Sequence, residues 1–306
     1  MVYYIDGNYG KMYNQFSYFL KGGQFMAVRI MTDSTADLSA ELIREYEVIM
    51  IPLNVVMGEK SYLDGGELTQ EELFAWSDAN KSTPKTASPE IGVVEELLKP
   101  FQEAGDEIVY IGISESMSST CQNIRLAAAD LEYDNFFVVD SMNLSTGVGL
   151  QVLRACDLAK EGKCAREIAD IIASEREKVR ASFCVDTLTY LHRGGRCSGV
   201  AMLLGATLML KPMIAVKDGK MGVEKKYRGK ISKVLKEYVK ELEPQMRNAV
   251  TKRVFITHTQ SDETVAEIRA MVEELGIFEN VYDTKAGGVI SSHCGPGTLG
   301  VLFYSK

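Results

Sequence analysis

Hydrophobic positions between residues 27 and 160 recur as short apolar runs separated by longer amphipathic stretches, the pattern of strands alternating with helices. Residues 27–31 form one such run, which ends in Thr32-Asp33-Ser34-Thr35-Ala36-Asp37-Leu38; Ser39 then opens a helical stretch to about Tyr46. Residues 47–56, rich in Val and Ile, read as a second strand. The pattern weakens over about 57–80, an excursion from the sheet with an Asp64-Gly65-Gly66 turn and a short helix from about Gln70 to Ser77. Ser88-Pro89-Glu90 has the order N-cap, proline at the first helical position and acid in the first turn, so a helix is expected to about Gln102, with Thr86 and Ser88 at its start. The strand expected at 107–113 delivers Ser114-Glu115-Ser116-Met117-Ser118-Ser119-Thr120 into a helix reaching Leu131, and a strand at 135–139 precedes a helix at 148–160. Each polar loop then falls at the C-terminal end of a strand, where open α/β sheets take their ligands.

Beyond Ala165 the rhythm changes. Two helices are expected over 165–180, a strand over 181–185, and a packed helix among the small apolar residues up to Leu210. Residues 211–226 read as a hairpin turning at Lys217-Asp218-Gly219-Lys220. A helix near 229–242, a strand at 253–257, a helix at 263–275 and strands near Val281 and Val289 follow. The expected fold class is α/β in two domains: an N-terminal three-layer parallel-sheet domain over 26–180 and a C-terminal mixed α+β domain over 181–306, with the boundary between Lys178 and Asp186. Residues 1–25 carry many tyrosines and glycines without the basic-then-apolar order of a signal peptide, and read as an upstream start or an added extension.

Composition narrows the function classes. A net charge of −8 gives no global support for phosphate-backbone binding, which excludes nucleic acid as an expected partner. The six cysteines are scattered without Cys-x-x-Cys or Cys/His ligand spacing, so neither a metal site nor a disulfide scaffold is expected, and a cytoplasmic location is the simplest. No apolar run is long enough to span a bilayer as a helix.

Four features carry candidate chemistry. Helix starts bearing hydroxyls, at Ser34/Thr35, Thr86/Ser88 and Ser118/Thr120, offer free N–H groups and partial positive charge to an anionic head group; each taken singly is an ordinary cap. Arg193 and Arg196 flank Gly194-Gly195, suited to a carboxylate or phosphate and equally to a solvated turn. Asp33, Asp37 and Asp140 lie at strand ends, with capping preferred over Mg²⁺ binding. The glycine-rich run 287–300 holds His293 and reads as a loop between two strands. A triad of Ser118, His293 and an aspartate would make an esterase, but no Gly-x-Ser-x-Gly elbow supports it.

Five segments in order, Thr32-Asp33-Ser34-Thr35-Ala36-Asp37-Leu38, Pro84-Lys85-Thr86-Ala87-Ser88-Pro89, Ile113-Ser114-Glu115-Ser116-Met117-Ser118-Ser119-Thr120, Leu191-His192-Arg193-Gly194-Gly195-Arg196 and His293-Cys294-Gly295-Pro296-Gly297-Thr298, resemble the DegV family of bacterial fatty-acid-binding proteins. The resemblance runs from about Val28 to the C-terminus. It implies a fatty acid in the crevice between two α/β domains, with Thr86 and Ser118 contacting the carboxylate and His293 and Arg193 supporting them. Thr120 and Gly297 complete the implied ligand-binding set. Arg196 would be exposed towards a partner, because FakB-type members present the fatty acid to a separate kinase that forms an acyl-phosphate. The expected partners are a long-chain fatty acid, the catalytic subunit of a fatty acid kinase and, transiently, a membrane surface; no cofactor or metal is expected. A lipid carrier or sensor without a kinase is the alternative. Two departures from the family pattern, Ala87-Ser88 for Ser-Gln and Ser119 for Gly, bear on loop shape around the site. Met117, Met202, Met209 and Met213 are candidates to line the tail, since thioethers adapt to irregular chains.

Overall fold

A computed structural model describes residues 28–66, 68–203 and 209–306. Its centre is a four-stranded parallel sheet in the order β2-β1-β6-β7, formed by β1 (Val28–Asp33), β2 (Ile49–Ile51), β6 (Glu107–Gly112) and β7 (Phe136–Asp140). β6 lies between two neighbours and is covered on both faces, so Ile108, Val109, Tyr110 and Ile111 are all fully buried, as the uninterrupted apolar run requires. One face is covered by α3 (Ile91–Ala104) and α4 (Thr120–Asp130). In α3, Val94, Leu97, Leu98 and Phe101 fall at i, i+3, i+4 and i+7 and make the stripe that packs there.

The opposite face meets α1 (Ala40–Glu45), α5 (Thr146–Lys160) and α6 (Ala165–Glu175). Every residue of α5 from Thr146 to Leu158 except Arg154 is buried, because this helix lies between the parallel sheet and a second one. The second sheet is mixed and seven-stranded, in the order β13-β12-β14-β8-β10-β11-β9. It comprises β8 (Val179–Cys184), β9 (Cys197–Ser198), β10 (Leu210–Lys217), β11 (Lys220–Arg228), β12 (Ala249–His258), β13 (Val281–Lys285) and β14 (Leu299–Ser305). Its far face packs on α8 (Ile231–Met246) and α9 (Asp262–Glu274). The fold is therefore α/β, one parallel sheet and one mixed sheet sharing a helical layer.

The expected strand at 47–56 is two strands in two sheets. Pro52 has no N–H for a ladder, and the chain leaves the parallel sheet there to form β3 (Asn54–Met57), β4 (Lys60–Leu63) and β5 (Lys85–Ala87), an antiparallel sheet in the order β4-β3-β5. The excursion consequently begins before residue 57, runs past residue 80 and includes α2 (Gln70–Asn80). Thr86 lies in the middle of β5, and Ser88 is not a helix cap: α3 starts only after Glu90. The second of the two helices expected over 165–180 is a short 3-10 turn, Arg176–Lys178. The strand expected near Val289 is helical, α10 (Gly288–Cys294), since its first backbone N–H groups find carboxylate acceptors from outside the segment. The helix expected up to Leu210 shows a 3-10 turn at Ala201–Leu203, and residues 204–208, like the leader 1–25, lie outside the described residues. The hairpin forms as expected, with Asp218 and Gly219 both at positive φ in a two-residue turn. No helix among the described residues is long and apolar enough to cross a membrane.

Candidate functional site

Three remote segments converge on one cavity of about 320 Å³. β5 contributes Thr86, held in register opposite Val55 of β3. The loop after β6 contributes Ser118, in a turn where the N–H groups of Met117 and Ser118 both donate to the Ser114 carbonyl. α10 contributes His293, from the far end of the chain. Apolar side chains, among them Leu53, Ile113, Met117, Leu144, Met221 and Ile290, line the rest.

Thr86 Oγ1 and His293 Nε2 are 3.0 Å apart, a hydrogen bond across 207 residues of sequence. Ser118 Oγ lies 2.8 Å from Thr120 Oγ1 and accepts the Thr120 N–H at 3.3 Å, so the serine sits at the start of α4 while Thr120 is buried behind it. Burial, and then the positive charge of Arg196, push the His293 imidazole down to about 4, so the ring is neutral at pH 7. Arg196 is exposed yet lines the cavity, and its Nη1 donates to the Gly194 carbonyl at 2.7 Å. These groups place two hydroxyls, a helix start and a guanidinium around an apolar chamber, an arrangement suited to an amphiphile with one anionic end.

The remaining expected residues lie elsewhere. Arg193 is exposed and does not line the cavity, although it follows α7 residues packed beneath it (α7 spans Thr189–Gly194). Gly297, at φ +75°, stands against Asp186, outside the lining. Of the four methionines, Met117 lines the cavity, Met202 and Met209 are exposed, and Met213 packs behind the second sheet. Met221 lines the cavity instead, a position that the sequence shows only as the start of a hairpin strand.

The supports of α10 were only partly foreseen. Asp37 accepts the Gly287 N–H at 2.7 Å and the Ser145 hydroxyl at 2.5 Å, while Asp64 accepts the Gly288 N–H at 2.5 Å. Burial raises the pKa of both carboxyls, Asp64 to about 6. A Cβ on Gly287 or Gly288 would stand 3.0–3.1 Å from the Asp64 carboxylate, so the glycine pair admits that contact. The available clue was a helix beginning Gly-Gly with no Ser, Thr, Asp or Asn of its own to cap it. Asp33, as expected, caps locally by accepting the Thr35 N–H at 3.0 Å; it also accepts the Ile113 N–H at 3.0 Å and the Tyr110 hydroxyl at 2.8 Å, tying β1 to the Ser118 loop.

A nucleophilic triad is not assembled. His293 Nε2 faces Thr86, and among the described residues its buried Nδ1 has no hydrogen-bond partner and no aspartate orients the ring. Among the described residues no group of three or more His, Cys, Asp or Glu side chains is placed to hold a metal ion.

Known proteins share this architecture. The family model described as "Uncharacterised protein, DegV family" matches residues 27–306. A DegV domain-containing protein of Deinococcus radiodurans is 32% identical over 281 residues, covering 90% of this chain and 98% of the relative. A solved fatty-acid-binding DegV family protein from Thermus thermophilus superposes with a TM-score of 0.83 at 31% identity, over 92% of this chain and all of that one. A stearic-acid-binding protein from Eubacterium ventriosum superposes with a TM-score of 0.80 at 26% identity, over 91% and 98% of the two chains.

Proposed function

This chain belongs to the DegV family, and we propose that it binds a long-chain fatty acid with its carboxylate at Thr86 and Ser118 and its tail in the apolar chamber behind them. The observation that carries the reading is that Thr86, Ser118, His293 and Arg196 line one cavity together with Ile113, Met117 and Met221. A carboxylate taken out of water needs donors, and the two hydroxyls and the guanidinium provide them. Most of the affinity comes from the tail: at about 0.8 kcal/mol per buried CH₂, roughly fourteen methylenes offer on the order of 11 kcal/mol. Solved relatives that bind fatty acids, one of them stearic acid, support the ligand class. No metal or cofactor enters the proposal.

The finer part of the proposal is that this chain is the acyl-carrying subunit of a cytoplasmic fatty acid kinase, handing its carboxylate to a separate enzyme that makes the acyl-phosphate. Its support is the family resemblance and Arg196, which is exposed and also lines the cavity. The two units are proposed to divide near residue 180, where the chain passes from α6 into β8 and the second sheet.

Native mass spectrometry and lipid extraction of freshly purified protein test the ligand; a chain that carries none and takes up no added palmitate, oleate or stearate is not a fatty-acid binder. Incubation of the loaded protein with ATP and candidate kinases, with acyl-phosphate trapped as hydroxamate, tests the finer part. Binding without product across those kinases would make the protein a lipid carrier.

A further inference from the structure

The His293 ring is bounded on two sides by different chemistry. Nε2 meets the Thr86 hydroxyl at 3.0 Å, whereas Nδ1 is buried without a hydrogen-bond partner among the described residues. What closes off Nδ1 is Gly194, the last residue of α7: a Cβ there would overlap Nδ1 and stand 3.3 Å from Cε1 and 3.4 Å from Cγ. The imidazole therefore occupies the place where any other residue would carry its side chain. Gly194 also holds Arg196, whose guanidinium donates to the Gly194 carbonyl at 2.7 Å.

From this geometry we infer that Gly194 is a positioning residue: its missing side chain is the slot that seats His293 as the Nε2–H tautomer, so that the Thr86 hydroxyl donates its proton into the cavity. The inference rests on the fatty-acid reading for the ligand but not for the tautomer. A buried N–H without an acceptor costs more than an unused lone pair, so the proton leaves Nδ1 and resides on Nε2. Nε2–H then donates to Thr86 Oγ1, which has one hydrogen of its own and directs it away from the ring. The relay thus has a fixed polarity, from histidine to threonine to ligand. It favours a head group that accepts at that point, an ionised carboxylate most strongly, over an ammonium, which can only donate there. The lowered pKa of His293 agrees with a ring that keeps this neutral form at pH 7.

Gly195 supplies the control. It caps α7 at φ +67°, and a Cβ there meets nothing within 4 Å, so Gly195→Ala strains the same turn without touching the ring. The chain has three histidines, which makes ¹⁵N-imidazole labelling of the full-length protein direct, with the His293 signals identified by their loss in His293→Gln. Ligand-free wild type at pH 7 is expected to show a pyridine-like Nδ1 and a pyrrole-like Nε2 for His293. Gly194→Ala is expected to shift those signals towards mixed tautomers and to weaken palmitate retention by about tenfold, the worth of one well-placed hydrogen bond, while Gly195→Ala keeps the wild-type pattern. A protonated Nδ1 in wild type overturns the inference even if Gly194→Ala does not fold; so does a folded Gly194→Ala with unchanged His293 signals. Because the tautomer is read without ligand, absence of fatty-acid binding would refute the proposed function and leave the seat of the histidine separately decided.

Discussion

Asp64→Asn separates the electrostatics of the α10 support from its geometry. Asp64 is 3% exposed, with Oδ1 accepting the Gly288 N–H at 2.5 Å. Desolvation dominates its titration and raises the carboxyl from 3.8 to about 6, against the lowering effect of its hydrogen bonds and with the negative charge of Asp33 adding to the rise. The folded protein therefore holds a proton on Asp64 over a pH range in which the unfolded chain has lost it. The stability this contributes is complete below about 3.8 and is lost as pH rises through 6. The interval corresponds to on the order of 3 kcal/mol. Asparagine keeps an acceptor for Gly288 and never ionises. Urea denaturation of both proteins at pH 4 and pH 8 is the assay, read as the difference between variant and wild type. That difference is expected to move by on the order of 3 kcal/mol in favour of Asp64→Asn between the two pH values, with relief of the neighbouring Asp37 carboxyl, which the Asp64 charge also raises, adding in the same direction; any constant effect of the amide cancels. Parallel stability curves would refute the buried-charge argument.

Thr86→Val and Ser118→Ala should each weaken palmitate retention by about 1–3 kcal/mol, measured by competition with a fluorescent fatty acid; unchanged retention in the double variant would place the head group elsewhere. Gly295→Ala meets Tyr190 Cδ2 at 2.6 Å from a backbone at φ +78° and should cost about 2 kcal/mol or more in denaturation. Gly92→Ala, within α3 and with nothing inside 4 Å, should instead gain about 0.5–1 kcal/mol. Arg253 is paired with Asp157 by two hydrogen bonds, at 2.6 and 2.9 Å, in a largely buried site. Arg253→Met alone should cost about 1–3 kcal/mol by removing both bonds, since Lys252 Nζ, 2.8 Å from Asp157 Oδ2, still answers the carboxylate, and Arg253→Met/Asp157→Leu should recover most of it; equal losses in the single and double variants would show that the charge pairing is not what matters there.

The parallel sheet was readable in advance because its strands are buried on both faces, and a run such as Ile108-Val109-Tyr110-Ile111 admits few other placements. Two local errors share one cause. The apolar stretch around Pro52 and the pair Val289-Ile290 are too short for period to separate a strand break from a strand, or a helix turn from a strand. Each was decided by a distant partner. At Pro52 the missing N–H coincides with the transfer of the next strand to β4 and β5, and at Gly288 the first helical N–H groups are accepted by Asp37 and Asp64, more than two hundred residues earlier.

The site divides along the same line. Residue type and local order made Thr86, Ser118, His293 and Arg196 candidates that could equally be caps, a loop histidine and a solvated turn, and the family resemblance is what singled them out. Contact between them depends on long-range closure. Thr86 reaches His293 only because β5 pairs with β3 opposite Val55, and α10 is held by two buried aspartates of the first half. Arg193 and Arg196 show how sharp that dependence is. They have the same side chain and lie three residues apart, yet α7 ends between them at Gly194 and Gly195 turns at φ +67°. The turn brings Arg196 back to the Gly194 carbonyl at the cavity and leaves Arg193 on the exposed surface. Spacing alone could not distinguish the two arginines; the left-handed turn between them does.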